Sequence, residues 1–242
     1  MNFVIKLEDQ VITSLRELGE KMYLYEDASE KLLTSPKFLK FLKEYDEKKF
    51  NQLIELNHRV REHEEFIFLA QYIFSPIMNI RHHGYQFNSF EELGKQIIEF
   101  GPDVDIYLKD FLKYKLLSQY MKLMGFNKTE AKIYNKVIEL EGLFEENENK
   151  AYFLLGFTLS RCGIITYCGR SYKNVNLFFK EMALNKNVTS FFSLISKSQY
   201  VISWLTYLGY NEQVDKYQSI INLVDDLEES YEHRKEISKM VK

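Results

Sequence analysis

Cysteine, proline and tryptophan are scarce, with 2, 3 and 1 copies in 242 residues, and glycine occurs only 10 times. Two thiols, Cys162 and Cys168, cannot form a framework of bridges, and they suit a reducing compartment. An excess of charge is missing as well: 32 Lys and Arg stand against 35 Asp and Glu. This balance excludes a strongly basic nucleic-acid coat or a membrane-surface module. Apolar runs are short and broken by charge, so no membrane span is expected. Met1 to Leu18 carries Lys6, Glu8, Asp9, Arg16 and Glu17 in place of the apolar core of a secretory signal. A cytoplasmic protein is the expectation.

The chain is 45% apolar and 15% aromatic, enough for a sizeable core without bridges or metals. Between the sparse Gly and Pro residues, apolar side chains recur at three-and-four spacing, the signature of amphipathic helices. The fold class is mainly α. Sliding the chain against itself shows internal repetition. Ser14-Leu15-Arg16-Glu17-Leu18-Gly19 returns as Ser89-Phe90-Glu91-Glu92-Leu93-Gly94 at an offset of 75, and Ile80 to Phe87 returns in diverged form as Ile165 to Tyr172 at an offset of 85. Met124-Gly125-Phe126-Asn127 likewise resembles Leu208-Gly209-Tyr210-Asn211.

Each repeat opens with two short runs around a turn, at Glu8-Asp9, His83-Gly84 and Cys168-Gly169, which predicts a β-hairpin. Ser14/Glu17 and Ser89/Glu92 have the capping-box form at the helix start that follows. Further helices are expected from Pro36, from near Asp103 and from Val188, with Gly125 and Gly209 as C-caps and Thr129 and Asn211 as the next N-caps. Two very apolar helices, over 62–75 and 150–160, are expected at the centre of the core. The expected architecture is about three tandem repeats of 75–85 residues, near 1–65, 66–149 and 150–224, stacked as one solenoid-like domain. A charged helix over 225–242 would close its end.

Sites of chemistry are sought in the residue spacings. Cys162 and Cys168 lack a second pair, and His82 and His83, adjacent on a strand, are expected to point to opposite faces. No metal site and no cofactor are therefore expected. His58 and His63, beside Glu62 and Glu64, are five apart and read as part of a solvated helix. Glycine-rich phosphate loops, a nucleophile elbow and an Arg-x4-His pattern are all absent from the sequence. Paired acids such as Glu91-Glu92 and Asp225-Asp226 fit solvated helix faces. Core packing accounts for most aromatics, Phe66, Phe68, Phe74, Phe153 and Phe157 among them, with a base-stacking platform as the alternative.

The hairpin tips remain, and two of the three are basic and aromatic, the composition favoured at protein contacts. Arg81, His82, His83, Tyr85, Tyr167 and Arg170 are the candidate binding residues. The function these observations favour is a non-enzymatic adaptor, regulator or inhibitor that docks a protein partner on its repeat surface. The alternative is a nucleic-acid-associated accessory protein of a host or phage defence system. A homodimer through the uncovered N-terminal hairpin is a further expectation.

Overall fold

Local signals set the element boundaries. Ser14 Oγ accepts the Glu17 N–H at 3.1 Å, and Glu17 reaches back to the Thr13 N–H at 2.8 Å. Ser89 and Glu92 repeat the arrangement, at 3.1 Å to the Glu92 N–H and 2.7 Å from Asn88 N–H to Glu92. Both expected capping boxes are thus formed, with the glutamate bonded one residue further back than in the usual box. The computed structural model describes residues 3–99, 101–167, 169–184 and 198–222. Cys168, the helix expected from Val188 and the charged segment 225–242 lie outside the described residues.

The chain is mainly α-helical with three small antiparallel hairpins. β1 (Ile5–Leu7) and β2 (Gln10–Ile12) precede α1 (Leu15–Lys21), a short 3-10 turn at Met22–Leu24, α2 (Glu26–Leu33), α3 (Pro36–Tyr45), α4 (Glu47–Arg59) and α5 (His63–Phe74). β3 (Ile80–His82) and β4 (Tyr85–Phe87) lead into α6 (Phe90–Glu99), α7 (Ile106–Lys113), α8 (Leu116–Leu123), α9 (Phe126–Thr129), α10 (Ala131–Glu146) and α11 (Glu148–Ser160). β5 (Ile165–Tyr167) and β6 (Arg170–Tyr172) are followed by α12 (Val175–Leu184), α13 (Ser198–Tyr207) and a helix over 211–222. Registers match across the three hairpins, with Leu7 opposite Gln10, His82 opposite Tyr85 and Tyr167 opposite Arg170 next to each turn.

Two details differ from expectation. Thr129 does not cap a helix: Glu130 N–H bonds Phe126 O at 2.8 Å and closes a single helical turn straight after Gly125, so α10 starts only at Ala131. α7 begins behind Asp105, whose carboxylate accepts the Tyr107 and Leu108 N–H groups at 2.8 and 3.2 Å, two residues later than Asp103. Pro36 stands in the first turn of α3 as expected.

The described residues fall into two compact units, one within 1–93 and 105–146, the other within 94–104 and 147–222. In the first, the core is centred on α5, where Phe66 to Tyr72 and Phe74 are buried. α1 crosses α5 at Gly19, where an added Cβ would stand 2.6 Å from Gln71 O and 2.7 Å from Ser75 N. In the second, the core is centred on α11, with Ala151 to Phe157 buried, and on Trp204, whose indole N–H donates to Gly163 O at 2.9 Å. There α6 meets α11 at Gly94, whose Cβ would clash with Ser160 N and lie 2.8 Å from Gly156 O. Gly94 lies 75 positions after Gly19, and Gly156 and Ser160 lie 85 positions after Gln71 and Ser75. Among the described residues no helix is long and apolar enough to cross a membrane.

One buried acid is built into the first unit. Glu141 on α10 is buried and accepts the Ser118 N–H at 3.3 Å, satisfying a free donor in the first turn of α8. Burial pushes its carboxyl up from 4.5 to about 7. The folded state then holds the proton more tightly than the unfolded chain, so stability is fully present below pH 4.5 and declines as pH rises through about 7. Glu141→Gln keeps the acceptor and removes the charge. It is expected to unfold at nearly the wild-type urea midpoint at pH 4, and to gain roughly 3 kcal/mol over wild type at pH 8.

Candidate functional site

Beside the turn of the second hairpin two polar residues, Arg81 and His82, are buried. The site begins with backbone geometry: His83 has φ +43 and Gly84 φ +81, two left-handed residues in succession as a tight two-residue hairpin turn demands. The turn is fastened to the 3-10 turn before α2 and to the first residue of α2. Gly84 N–H donates to Tyr23 O at 2.7 Å and His83 N–H to Glu26 Oε1 at 2.8 Å. On the other side, Tyr85 Oη donates to Asp105 Oδ2 at 2.6 Å, so the same hairpin is tied to the start of α7.

Left-handed backbone at His83 ends the strand alternation, and this corrects the expectation that His82 and His83 face apart. Both rings turn to one place, with centroids 4.3 Å apart. His82 is 1% exposed, edge-on to Phe68 and tilted against Phe111, with Nε2 3.3 Å from Asp110 Oδ2 and Nδ1 3.5 Å from Glu26 Oε1. His83 is 28% exposed, with Nδ1 3.1 Å from Glu26 Oε2 and Nε2 3.6 Å from Asp110 Oδ2. Nδ1 of His82 is fully buried and lacks a well-formed hydrogen bond, with Glu26 Oε1 3.5 Å away. Two imidazoles thus sit between two carboxylates, with Tyr107 4.5 Å from the His83 ring.

Electrostatics follow from that enclosure. Burial opposes charge on His82, but the Asp110 and Glu26 carboxylates on either side of the ring outweigh it and raise its pKa. His83 shifts the other way, lowered by burial and by the charge on His82. Burial would raise the Glu26 carboxyl, yet His82 and the His83 N–H hold it below its usual value.

Comparison with family models, with curated proteins and with solved structures finds no match for this chain. Function is therefore read from the geometry of the site itself.

The six candidate residues occupy different settings. His83 and Tyr85 stand at the turn as expected. Arg81 is 1% exposed and packs inward: its guanidinium donates to Gly19 O and Ser75 O, both at 3.0 Å, and lies 5.1 Å from the centre of the Tyr72 ring. It closes the C-terminal carbonyls of α1 and α5, a favourable place for a cation. Neither Arg81 nor His82 presents a side chain to solvent, because β3 is covered on both faces, unlike an ordinary exposed tip. Tyr167, in the second unit, is buried against Phe178, while Arg170 is exposed and pairs with Glu181 at 3.3 Å. His63 does not join His58; it reaches Glu30 at 2.9 Å from another helix. Glu26 and Asp110 were absent from the sequence reading, since each looks like an ordinary helix carboxylate and nothing in the spacing links either to residues 82–83.

Proposed function

We propose that the protein is a non-enzymatic binding protein, an adaptor, regulator or inhibitor, built as about three hairpin-and-helix repeats in a solenoid-like stack. The repeat reading is supported by the equivalent close approaches at Gly19 and Gly94 and by the common register of the three hairpins. One observation carries the binding reading. Between the turn of the first hairpin, at Glu8, and that of the second, at His83-Gly84, runs an open groove of about 480 Å³. Its lining contains three carboxylates, Glu8, Glu26 and Asp27, and three tyrosines, Tyr23, Tyr25 and Tyr107, with no lysine or arginine among the described residues.

Carboxylates beside aromatic faces suit arginine and lysine, through charge and through cation–π contact. The occupant proposed is a basic segment of a protein partner. A nucleic-acid strand is poorly matched to this groove, because its phosphates would meet Glu8 and Asp27 rather than cations.

Selection of a random peptide library on the full chain tests the proposal. Recovered sequences are expected to be enriched in Arg and Lys, and the double variant Glu8→Lys with Asp27→Lys, both exposed residues, is expected to bind them roughly tenfold or more weakly. Recovery of peptides without basic enrichment, or equal binding by the double variant, would sink the groove as the docking site.

A further inference from the structure

The position next to each hairpin turn is a core position. Leu7 fills it in the first hairpin and Tyr167 in the third, at 1% and 3% exposure, and His82 fills it in the second at 1%. An apolar residue does this job in two hairpins of three. At the third place the chain has buried an imidazole between two carboxylates, an arrangement that costs more desolvation than Leu or Tyr would. Beside it, at the left-handed turn position that Glu8 occupies in the first hairpin, stands a second imidazole, His83. So much polar construction at one core point asks for an occupant.

We propose that Glu26, His82 and His83 bind one divalent first-row transition metal, of which Zn²⁺ is the best match. Ligand atoms of these three side chains lie within 4.8 Å of one another. His82 Nδ1 is 3.5 Å and His83 Nδ1 3.1 Å from Glu26 oxygens. Tetrahedral zinc, with bonds of about 2.0–2.1 Å, places its ligands ~3.3 Å apart. Small rotations of the rings and the carboxylate therefore suffice to close the site. Two histidines and one carboxylate suit zinc, whereas calcium and magnesium favour all-oxygen sites.

The other ring nitrogens support the same assignment. Both Nε2 atoms face Asp110 Oδ2, at 3.3 and 3.6 Å. If each donates its N–H there, the metal-bound tautomer is fixed with both Nδ1 lone pairs turned toward Glu26, the carboxylate–histidine–metal arrangement. It also accounts for the buried His82 Nδ1 that lacks a hydrogen-bond partner. A neutral His82 would otherwise aim that lone pair at a carboxylate. Glu26 and His83 line the groove, so a fourth ligand position faces it and takes water. The metal assignment does not depend on the nature of any protein partner.

The test uses the full chain, stripped with a chelator and titrated with Co²⁺ by visible absorption and with Zn²⁺ by calorimetry. A saturable tetrahedral Co²⁺ spectrum at one ion per chain is expected, displaced by Zn²⁺ with a Kd of roughly 1 μM or tighter. Glu26→Gln and His83→Ala are each expected to weaken binding at least ~100-fold. His63→Ala, a surface histidine paired with Glu30, is expected to leave it unchanged. Should His83→Ala misfold, Glu26→Gln decides, because its amide oxygen still accepts the His83 N–H. Absence of the Co²⁺ spectrum in the wild type, or unchanged affinity in Glu26→Gln, overturns the site and leaves the two histidines and two carboxylates as a structural cluster.

Discussion

Gly94→Ala is expected to destabilise the protein by at least ~3 kcal/mol, enough to leave much of it unfolded or insoluble. The new methyl would meet Ser160 N and stand 2.7 Å from Leu159 Cβ and 2.8 Å from Gly156 O, all on α11. Backbone atoms cannot swing aside as a flexible side chain can, so the two helices must separate and lose packing along their contact. Gly19→Ala meets Gln71 O and Ser75 N in the same way and is expected to cost as much. Helix propensity works in the opposite direction, since Ala is favoured over Gly by about 1 kcal/mol in a helix interior. Gly142→Ala isolates that term, because Gly142 is exposed on α10 with nothing within 4 Å of an added Cβ. Urea midpoints should therefore move down for the first two variants and up, by up to ~1 kcal/mol, for the third. A harmless Gly19→Ala or Gly94→Ala would show that these helices do not touch where described.

Arg81→Ala is the second large effect, expected at about 4 kcal/mol. The substitution removes two charge-assisted hydrogen bonds, strands Gly19 O and Ser75 O, and opens a cavity beside Tyr72. Arg81→Lys keeps the charge and much of the volume but offers a single point where the guanidinium reaches two carbonyls at once. An intermediate loss of about 2 kcal/mol is expected for it. Equilibrium unfolding by circular dichroism reads both. A wild-type midpoint for Arg81→Ala would mean that the residue faces outward after all and is again available as a contact.

Much of the fold was legible because its signals are local. Three hairpins, two capping boxes, Pro36 in a first turn and the apolar α5 and α11 each announce themselves within a few residues. The site was not legible for the opposite reason. A three-residue strand carries no record of which of its faces is covered, and the same register point holds exposed Lys6, buried Arg81 and half-buried Thr166. Strand alternation placed the two histidines apart, and a single left-handed residue at the turn brought them together. Glu26 and Asp110 arrive from distant helices through packing, a level at which residue spacing is silent.

A pair of three-residue strands is too small to hold itself together in water. The second hairpin is ordered because its turn hangs from Tyr23 and Glu26, its middle from Arg81, and its return strand from Asp105. Its order therefore depends on the helices on either side being docked. Anything that grips this turn takes hold of α1, α2, α5 and α7 together, so a contact a few residues wide would tighten an entire cooperative folding unit.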